Sequence, residues 1–567
     1  MSKVIKSTEQ LQSYQHDASH RPILTRRDFF AQTAGTVAGA MMVPSALTMF
    51  SAAAKGQDAG AQLQCDSGAG GSGIPVFNIE LAGGWGVARV VNPHGPAGAG
   101  EIMTAAAART MGMTDAMRGA AGYYRAGTQP GAANSGIGAF LRTDTSFFRG
   151  LYDGLGGTLV GGALPPPSAA QLAAGDYLGG LDANVRGILD RIRVGSVIVR
   201  NVDDTANNQL FFGGYLFRSG FYRGSMVNLI GTDNTQQGAR SAVPVGSLDG
   251  NLRSARFQSA ADLTGLVSVG ALALVQQGQA AQFLSPQDIQ AVMAQASRMS
   301  DSKIREFASR DFSDQMNRIM KCGYIKQQAL LASAGGALDP AADNAITTSY
   351  GAGALATAQQ PSIVKALIDR LAVVGSVVLG GYDYHAQGDA TTNTRDEQAG
   401  LAVGRAIRAA HIRATQSQPE LTATPTRPAQ PELPATNRPF IVTVTTDGSV
   451  SANNPAGPDA PAWAADSGER HMDLIFAYHP NANNVSTASS VFRQQIGAFN
   501  PATGGVDLGF NDITNSQVNA TICMAANILE LQGQYGRLET ALGTAPPWGS
   551  RAAFEAGYRL FAPFPTT

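Results

Sequence analysis

The chain contains 567 residues, of which 44% are hydrophobic and 15% charged, with 41 basic and 42 acidic side chains and a formal net charge of −1. This length suits roughly two to four domains of ordinary size, or one large α/β domain. The balanced charge and the lack of a block of Lys and Arg argue against nucleic acid as a partner, because phosphate binding needs clustered basic side chains. The 66 glycines follow no three-residue period, which excludes a collagen-like chain.

Residues 1–54 resemble a twin-arginine export signal. Arg26 and Arg27 precede the uncharged, mildly apolar stretch 31–54, which ends in three alanines that offer a cleavage site. The stretch is too weakly apolar for a membrane span of about 20 residues; a short N-terminal anchor or a buried helix is the alternative. The resemblance implies a periplasmic or extracellular protein that meets the twin-arginine translocation machinery. Because this route exports folded proteins, it favours a site loaded before export.

The three cysteines do not indicate a disulfide scaffold. Cys65, Cys322 and Cys523 cannot all pair within one chain, and no two of them have the spacing of a zinc motif. One disulfide is possible in an oxidising compartment, and structural thiols are the favoured interpretation.

The remaining sequence alternates predicted strands and helices. Residues 55–73 form a flexible Gly- and Ala-rich lead-in, followed by a single domain over 74–567. Nearly continuous apolar runs predict strands buried on both faces of a parallel sheet, at 74–81, 196–200, 373–379 and 440–446. Helices are predicted to begin at Ser285 and to cover 301–333, 361–371, 394–414 and 517–541. This order predicts an α/β fold, with a mostly parallel sheet flanked by helices and with helical insertions.

Two regions stand apart from this alternation. Residues 415–439 contain six prolines and little apolar content, which predicts an extended surface insertion between a helix and a strand of the same sheet. The region 120–280 is rich in Gly and Asn and has few periodic patterns, so it is the least well defined part of the prediction.

The first candidate site follows the predicted strand 373–379. Asp383 and His385 come directly after it, and ligands of open α/β sheets bind at this carboxyl edge. Residues two apart in an extended backbone face the same side, so the carboxylate and the imidazole can face one cation. This pair suits zinc, manganese or a similar metal. The alternative is an Asp that caps a turn beside a surface His.

A second group follows the strand 440–446. Asp447 stands at its carboxyl end, and Arg470 and His471 lie in a segment that we expect to be a loop returning to the same edge. Asp383, His385, Asp447 and His471 are therefore predicted to bind one divalent metal, zinc, manganese or calcium, that activates water. For Asp447 the alternative is a turn-forming Asp-Gly pair, and for His471 it is a surface position next to Arg470.

Other motifs of catalysis are missing. The glycine-rich segment 83–86 lacks the Lys-Ser/Thr of a P-loop and the spacing of a dinucleotide fingerprint, so no nucleotide cofactor is expected. No Gly-x-Ser-x-Gly nucleophile motif occurs. Thr145 is better explained as a helix cap than as a nucleophile, and no nucleophile is assigned.

In their order, these clusters resemble a large bacterial family of exported proteins of unknown function, grouped with the alkaline phosphatases and sulfatases. Members carry a glycine-rich loop after the first strand, then Gly-Gly-Phe-Asp-Thr-His, Ser-Asp/Glu-Phe-Gly-Arg and Gly-Thr-Asp-His-Gly. The corresponding segments here are 81–86, 380–385, 446–449 and 468–471, and the resemblance spans residues 74 to about 500. It implies an alkaline-phosphatase-like core and a metal site.

The chain also departs from that pattern. The family's first loop carries an Asp where this chain has Gly-Gly-Trp85-Gly, its Asp-His pair is Arg470-His471 here, and its Arg after the third motif falls at Val450. A two-metal phosphatase site needs about six ligands, and four are present. The site therefore holds one metal, or it has lost catalysis and kept the fold. Arg470 is a candidate for binding an anionic substrate.

Two functions follow from these expectations. Export and the resemblance favour a hydrolase-like protein that acts on small phosphate or sulfate esters with a metal. The missing ligands favour a non-catalytic envelope or surface binding protein, whose partner would be an unknown envelope protein. An oxidoreductase finds no cofactor fingerprint in the sequence.

Overall fold

Strands and helices alternate along most of the described chain. A computed structural model describes residues 73–93, 95–96, 103–113, 141–143, 145–173, 176, 178–200, 212–222, 229–231, 255–256, 339–352, 355, 358–385, 387–419, 432, 434–453, 462–466, 469–481 and 495–564. The predicted export signal, the lead-in and the helices predicted at Ser285 and at 301–333 lie outside these residues.

Ten strands and eleven α-helices are present in this part of the chain. The strands are β1 Val76–Gly84, β2 Ile192–Ile198, β3 Leu229–Gly231, β4 Ala255–Arg256, β5 Val374–Leu379, β6 Phe440–Gly448, β7 Val450–Asn453, β8 Ala462–Asp466, β9 Met472–Tyr478 and β10 Gln495–Ile496. The helices are α1 Ala105–Thr110, α2 Ser146–Gly154, α3 Ala169–Ala173, α4 Ala183–Leu189, α5 Phe212–Arg218, α6 Asn344–Tyr350, α7 Gln359–Ile368, α8 Asp389–Thr415, α9 Gln517–Leu531, α10 Leu538–Leu542 and α11 Arg551–Ala553. Short 3-10 turns cover Val87–Val90, Pro340–Ala342 and Tyr535–Arg537, and a π-helical turn covers Phe554–Tyr558.

Eight strands form one mixed sheet in the order β10-β2-β9-β6-β1-β5-β3-β4, and β7 and β8 form a separate antiparallel pair. In the large sheet β9 runs antiparallel to both neighbours, β2 and β6, and every other described pair is parallel. Helices cover both faces. The predicted α/β class with a mostly parallel sheet is therefore confirmed.

Strands are accurately predicted from the strongest apolar runs. The predictions for β1, β5 and β6 are confirmed within three residues at each end, while β2 begins and ends earlier than predicted. The segment after Arg470 is a central strand, β9, and not wholly a loop. Its run from Met472 to Tyr478 is fully buried between two neighbouring strands.

The sheet separates two hydrophobic cores. Phe77, Ile79 and Leu81 of β1 point to the face covered by α2, α7 and α8. Val76 of β1 and Ile441 of β6 point to the other face, where α5, α9 and the C-terminal segment pack. Because both faces are buried, apolar side chains prevail on both sides of the strands.

The predicted helices at 361–371 and 394–414 correspond to α7 and α8, although α8 starts five residues earlier. The predicted helix 517–541 is divided: α9 ends at Leu531, Gly533 adopts a positive φ of 65°, and a 3-10 turn leads into α10. Within the described ranges, no helix combines the length and apolar character needed to cross a membrane.

Helices α2 and α8 cross with their backbones in direct contact. Gly150 and Gly154 of α2 face Gly400 and Gly404 of α8, four residues apart on each helix. A Cβ added at Gly150 would lie 1.9 Å from the Glu397 carbonyl oxygen, and one at Gly400 would lie 1.9 Å from the carbonyl oxygen of Phe147. Only glycine fits at this crossing, so α2 and α8 pack backbone against backbone.

Gly400→Ala should destabilise the protein by roughly 1–3 kcal/mol or more, because backbone atoms must move apart to admit the methyl group. Gly187→Ala in α4 is the matched control, since a Cβ there meets nothing within 4 Å and should stabilise by about 0.5–1 kcal/mol. Chemical denaturation of the two variants measures both values. Equal stability of both variants would contradict the backbone contact.

Candidate functional site

The carboxyl ends of three neighbouring strands meet at one edge of the sheet. Leu81 of β1 pairs with Leu379 of β5 on one side and with Thr446 of β6 on the other. The loops that follow these strands therefore leave the sheet at the same level. This is the edge at which open α/β sheets bind ligands.

The loop after β5 presents two candidate ligands to solvent. Asp383 and His385 are exposed, whereas Tyr382 and Tyr384 beside them are buried. The Asp383 Oδ1 atom accepts a hydrogen bond of 2.9 Å from the backbone amide of His385. This bond is the turn-capping interaction that the alternative interpretation predicts, and it leaves the other carboxylate oxygen outside that turn.

Gly83 brings this loop against the end of β1. The amides of Tyr382 and Tyr384 donate to the carbonyls of Ala82 and Gly84, each at 3.1 Å. Between them, a Cβ on Gly83 would lie 2.3 Å from the backbone nitrogen of Asp383, and its φ of 113° also requires glycine. A residue with a side chain here would push Asp383 away from the sheet.

Gly83 also joins this loop to the end of β6. Its carbonyl accepts a 2.7 Å hydrogen bond from the Thr446 hydroxyl, which lies 3.1 Å from the carbonyl oxygen of Gly448. The latter carbonyl lies 3.4 Å from Nδ1 of His471. Contacts thus run without a break from Asp383 to His471. Asp447 lies in this path as the residue between Thr446 and Gly448; its side chain lies outside the described atoms.

His471 is fully buried at the start of β9. Its Nε2 lies 3.1 Å from Oδ1 of Asp473, a carboxylate that is itself 3% exposed. The carboxylate fixes the orientation of the imidazole ring, and the other ring nitrogen, Nδ1, faces the carbonyl oxygen of Gly448. The surface position that we considered for His471 is therefore wrong.

Arg470 lies beside this pair and is half-buried. Its amide donates to the Ser449 hydroxyl at 3.2 Å, and its guanidinium lies 3.4 Å from the carbonyl oxygen of Thr503. Burial lowers the pKa of Arg470, and the charge of Glu469 opposes this effect. Arg470 therefore places a positive charge next to His471 at the carboxyl edge of the sheet.

Sequence reasoning missed a buried polar row on one face of the sheet. Glu80 of β1 is fully buried and pairs in register with Thr445 of β6, which is 3% exposed. Asn78, two residues earlier, accepts hydrogen bonds from the hydroxyls of Thr443 and Thr445 at 2.8 and 3.2 Å. The signal was present in the sequence, since a carboxylate in a strand that is expected to be buried on both faces is rare unless it is paired.

Sequence reasoning also missed the buried ion pair of Arg89 and Asp396, which lies on the face of the sheet that α8 covers. The carboxylate of Asp396, on α8, is 1% exposed and accepts hydrogen bonds from Trp85 Nε1 at 2.8 Å, Arg89 Nε at 2.7 Å and the Tyr384 hydroxyl at 2.6 Å. Asp396 thereby joins the glycine-rich loop after β1 to the loop that carries Asp383. It positions both loops without touching the exposed edge.

Aromatic rings complete the surroundings of Arg89. Its guanidinium lies 5.2 Å from the ring centre of Trp463 and 5.6 Å from that of Tyr384, and 3.1 Å from Oδ1 of Asp389. Burial is the largest single influence on the pKa of Arg89 and lowers it, but the charges of Asp396, Tyr384 and Asp389 and the hydrogen bond to Asp396 together raise the pKa. Burial and Asp396 together raise the pKa of Tyr384 well above 10, so its hydroxyl stays a donor.

Tyr384→Phe should destabilise the protein by about 1.5–3 kcal/mol, because it removes a hydrogen bond to a buried carboxylate. Tyr382→Phe is the matched control: its hydroxyl donates to the neutral carbonyl of Arg395 at 3.0 Å, and its loss should cost about 1 kcal/mol. Urea denaturation compares the two. A larger loss for Tyr382→Phe would show that Asp396 does not organise the loops.

The described residues contain no group of three or more His, Cys, Asp or Glu side chains placed to hold a metal ion. The metal site of Asp383, His385, Asp447 and His471 therefore stays a prediction. Comparisons of the chain with protein-family models, curated proteins and solved structures each gave no match.

Proposed function

We propose that this protein is an exported hydrolase-like enzyme that cleaves phosphate or sulfate esters at the carboxyl edge of its sheet. In this proposal the core is alkaline-phosphatase-like, and Asp383, His385, Asp447 and His471 hold one divalent metal: zinc, manganese or calcium. The observation that carries the proposal is the unbroken path of contacts through Gly83, Thr446 and Gly448. This path joins the loops of the candidate ligands at one edge.

The residues present fit such an ion in chemistry. Carboxylates and imidazoles are ligands of zinc and manganese. Asp473 orients the ring of His471 through Nε2, so Nδ1, which faces the Gly448 carbonyl, is the nitrogen that would bind the ion. A bound cation would polarise the ester oxygen and lower the pKa of water. Arg470 would attract the anionic ester to the edge, and the buried Asp396 would hold Asp383 and His385 in place through Tyr384.

The setting of this proposal is the periplasm or the cell exterior. The twin-arginine-like segment 1–54 would take the folded chain to the translocation machinery. Loading of the metal before export is consistent with export of a folded protein. The substrate would be a small anionic ester, and neither nucleic acid nor a nucleotide cofactor is part of the proposal.

Elemental mass spectrometry of the exported protein, purified without chelator or metal-affinity resin, tests the metal. We expect about one equivalent of zinc, manganese or calcium per chain. Asp383→Ala and His385→Ala should each lower metal affinity at least tenfold, because each removes a donor at an exposed position. Asp153→Ala, at an exposed residue of α2, should retain the parent's metal.

Hydrolysis of p-nitrophenyl phosphate and p-nitrophenyl sulfate by the metal-loaded protein then tests the reaction. We expect turnover of at least one ester that falls in parallel with metal content in the two variants. Equal metal content in parent and variants would overturn the site, and a loaded protein that turns over neither ester would overturn the reaction.

A second function, a non-catalytic envelope binding protein, is favoured by one observation. Trp85 and Arg470 stand where the resembling family carries carboxylates, and the indole of Trp85 is bound to Asp396. The loop after β1 is thus built around an internal ion pair. A folded protein with no metal and no ester hydrolysis would support this function, and cross-linking in the envelope would then identify the partner.

A further inference from the structure

The loop 500–512, between β10 and α9, lies at the same edge of the sheet as the proposed active site. β10 runs parallel to β2, and β2 and β6 point the same way because both are antiparallel to β9. The ends of β10 and β6 therefore meet the beginning of β9, which Arg470 and His471 precede. The amide of Val506 donates to the carbonyl of Glu469 at 2.6 Å, so the loop is bonded to the residue next to Arg470.

Helix α1 holds this loop against Arg470. The carbonyl oxygen of Thr503 lies 3.0 Å from the hydroxyl of Thr110 and 3.4 Å from the guanidinium of Arg470. The amide of Thr104, which caps α1, donates to the carbonyl of Pro501 at 2.9 Å. One carbonyl oxygen of the loop thus contacts the cation, and α1 fixes the position of that oxygen.

The later part of the loop presents apolar side chains to solvent. Leu508 and Phe510 are 38% and 36% exposed, and Val518, in the first turn of α9, is 42% exposed. These are three of the four large apolar side chains that are exposed in the described part of the chain, and the fourth is Val160. Single exposed apolar residues are ordinary, but their concentration within eleven residues of one edge indicates a binding surface.

Hydrogen bonds fix the backbone that carries this apolar pair. The amide of Asp507 donates to the carbonyl of Ala498 at 2.8 Å. Asp507 in turn accepts the amide of Gly509 at its Oδ1 atom, at 3.1 Å, and the amide of Phe510 at its carbonyl, at 3.2 Å. A turn that is formed before a ligand arrives loses little conformational freedom on binding.

The charges around the pair restrict what it can bind. The carboxylates of Asp507 and Asp512 stand on either side of Leu508 and Phe510 in the sequence. A second negative charge on a ligand would be repelled here, whereas a first one is attracted by Arg470. The surface therefore matches a ligand with one anionic group and an uncharged apolar remainder.

We infer that the substrate is the phosphate or sulfate monoester of an apolar alcohol. Its anionic group would bind beside Arg470, and its hydrocarbon part would pack on Leu508 and Phe510. The inference rests on the proposed function for the position of the anionic group, and it narrows the substrate to esters with an aliphatic or aromatic group. Hydrophilic alcohols such as sugars would gain nothing from the apolar pair.

Calorimetric titration with analogues that cannot be hydrolysed tests this inference. n-Hexylphosphonate and methylphosphonate share one anionic group and differ in apolar surface, and n-hexanesulfonate and methanesulfonate form the matching pair for a sulfate ester. Their carbon–phosphorus and carbon–sulfur bonds stay intact, so binding is measured whether or not the protein turns over an ester. In at least one pair the hexyl compound should bind at least tenfold more tightly, because each fully buried methylene group contributes roughly fourfold.

Variants of the loop separate the two parts of the ligand. Leu508→Ser and Phe510→Ser should each reduce the ratio of the methyl to the hexyl dissociation constant by roughly threefold or more. Val160→Ser is the matched control, since Val160 is 64% exposed beyond the end of α2, and it should keep the parent's ratio. Arg470→Gln should weaken both members of a pair by the same factor. General loss of structure would also weaken both members, so the ratio reports the apolar contact alone.

The outcomes distinguish this inference from the proposed function. Failure of the parent to bind any of the four compounds, equal binding of the hexyl and methyl members in both pairs, or loop variants with the parent's ratio would overturn the inference, even if p-nitrophenyl esters are hydrolysed. A preference for the hexyl compound that depends on Leu508 and Phe510, in a protein that turns over neither ester, would support the apolar surface and overturn the hydrolysis alone.

Discussion

The buried charge of Asp396 is the constraint on which the arrangement of the carboxyl edge depends. A carboxylate removed from water is tolerated only when donors surround it, and here the donors come from two separate segments: Trp85 and Arg89 after β1, and Tyr384 after β5. The glycine-rich loop and the loop that carries Asp383 cannot change position independently, because each supplies part of the same charge balance. The exposed candidate ligands are thus held from below by residues that never reach solvent.

The sequence was most informative where burial on both faces produced nearly continuous apolar runs. β1, β5 and β6 could be predicted for this reason, and α7 and α8 from their helical patterns. The strand β9 was missed because its sequence begins directly after Glu469, Arg470 and His471, polar residues that we expected to lie in a loop returning to the edge. Short strands such as β3 and β10 consist of two or three residues, too few for any periodicity to be recognised.

The site was predictable only as far as strand ends could be located. Asp383 and His385 followed a clear strand, but Asp396 lies in the middle of a helix, and only the tertiary structure shows that it faces Arg89. Trp85 was noticed as a departure from a motif, whereas its bond to Asp396 depends on how α8 crosses the sheet. Glu80 looked like part of an apolar strand, and the register of β1 with β6 was needed to place it beside Thr445.

The glycine crossing of α2 and α8 has a consequence for movement in this protein. Where side chains separate two helices, rotamer changes allow one helix to slide past the other. Here the two backbones lie against each other, since a Cβ added at Gly150 or Gly400 would lie 1.9 Å from a carbonyl oxygen of the other helix. No layer of side chains between the helices can adjust. A shift of α8 by a single residue, 1.5 Å along its axis, would bring side chains onto the backbone of α2. The two helices and the carboxylate of Asp396 therefore form a rigid support for the loops at the carboxyl edge. Any opening or closing at the carboxyl edge must come from the loops themselves.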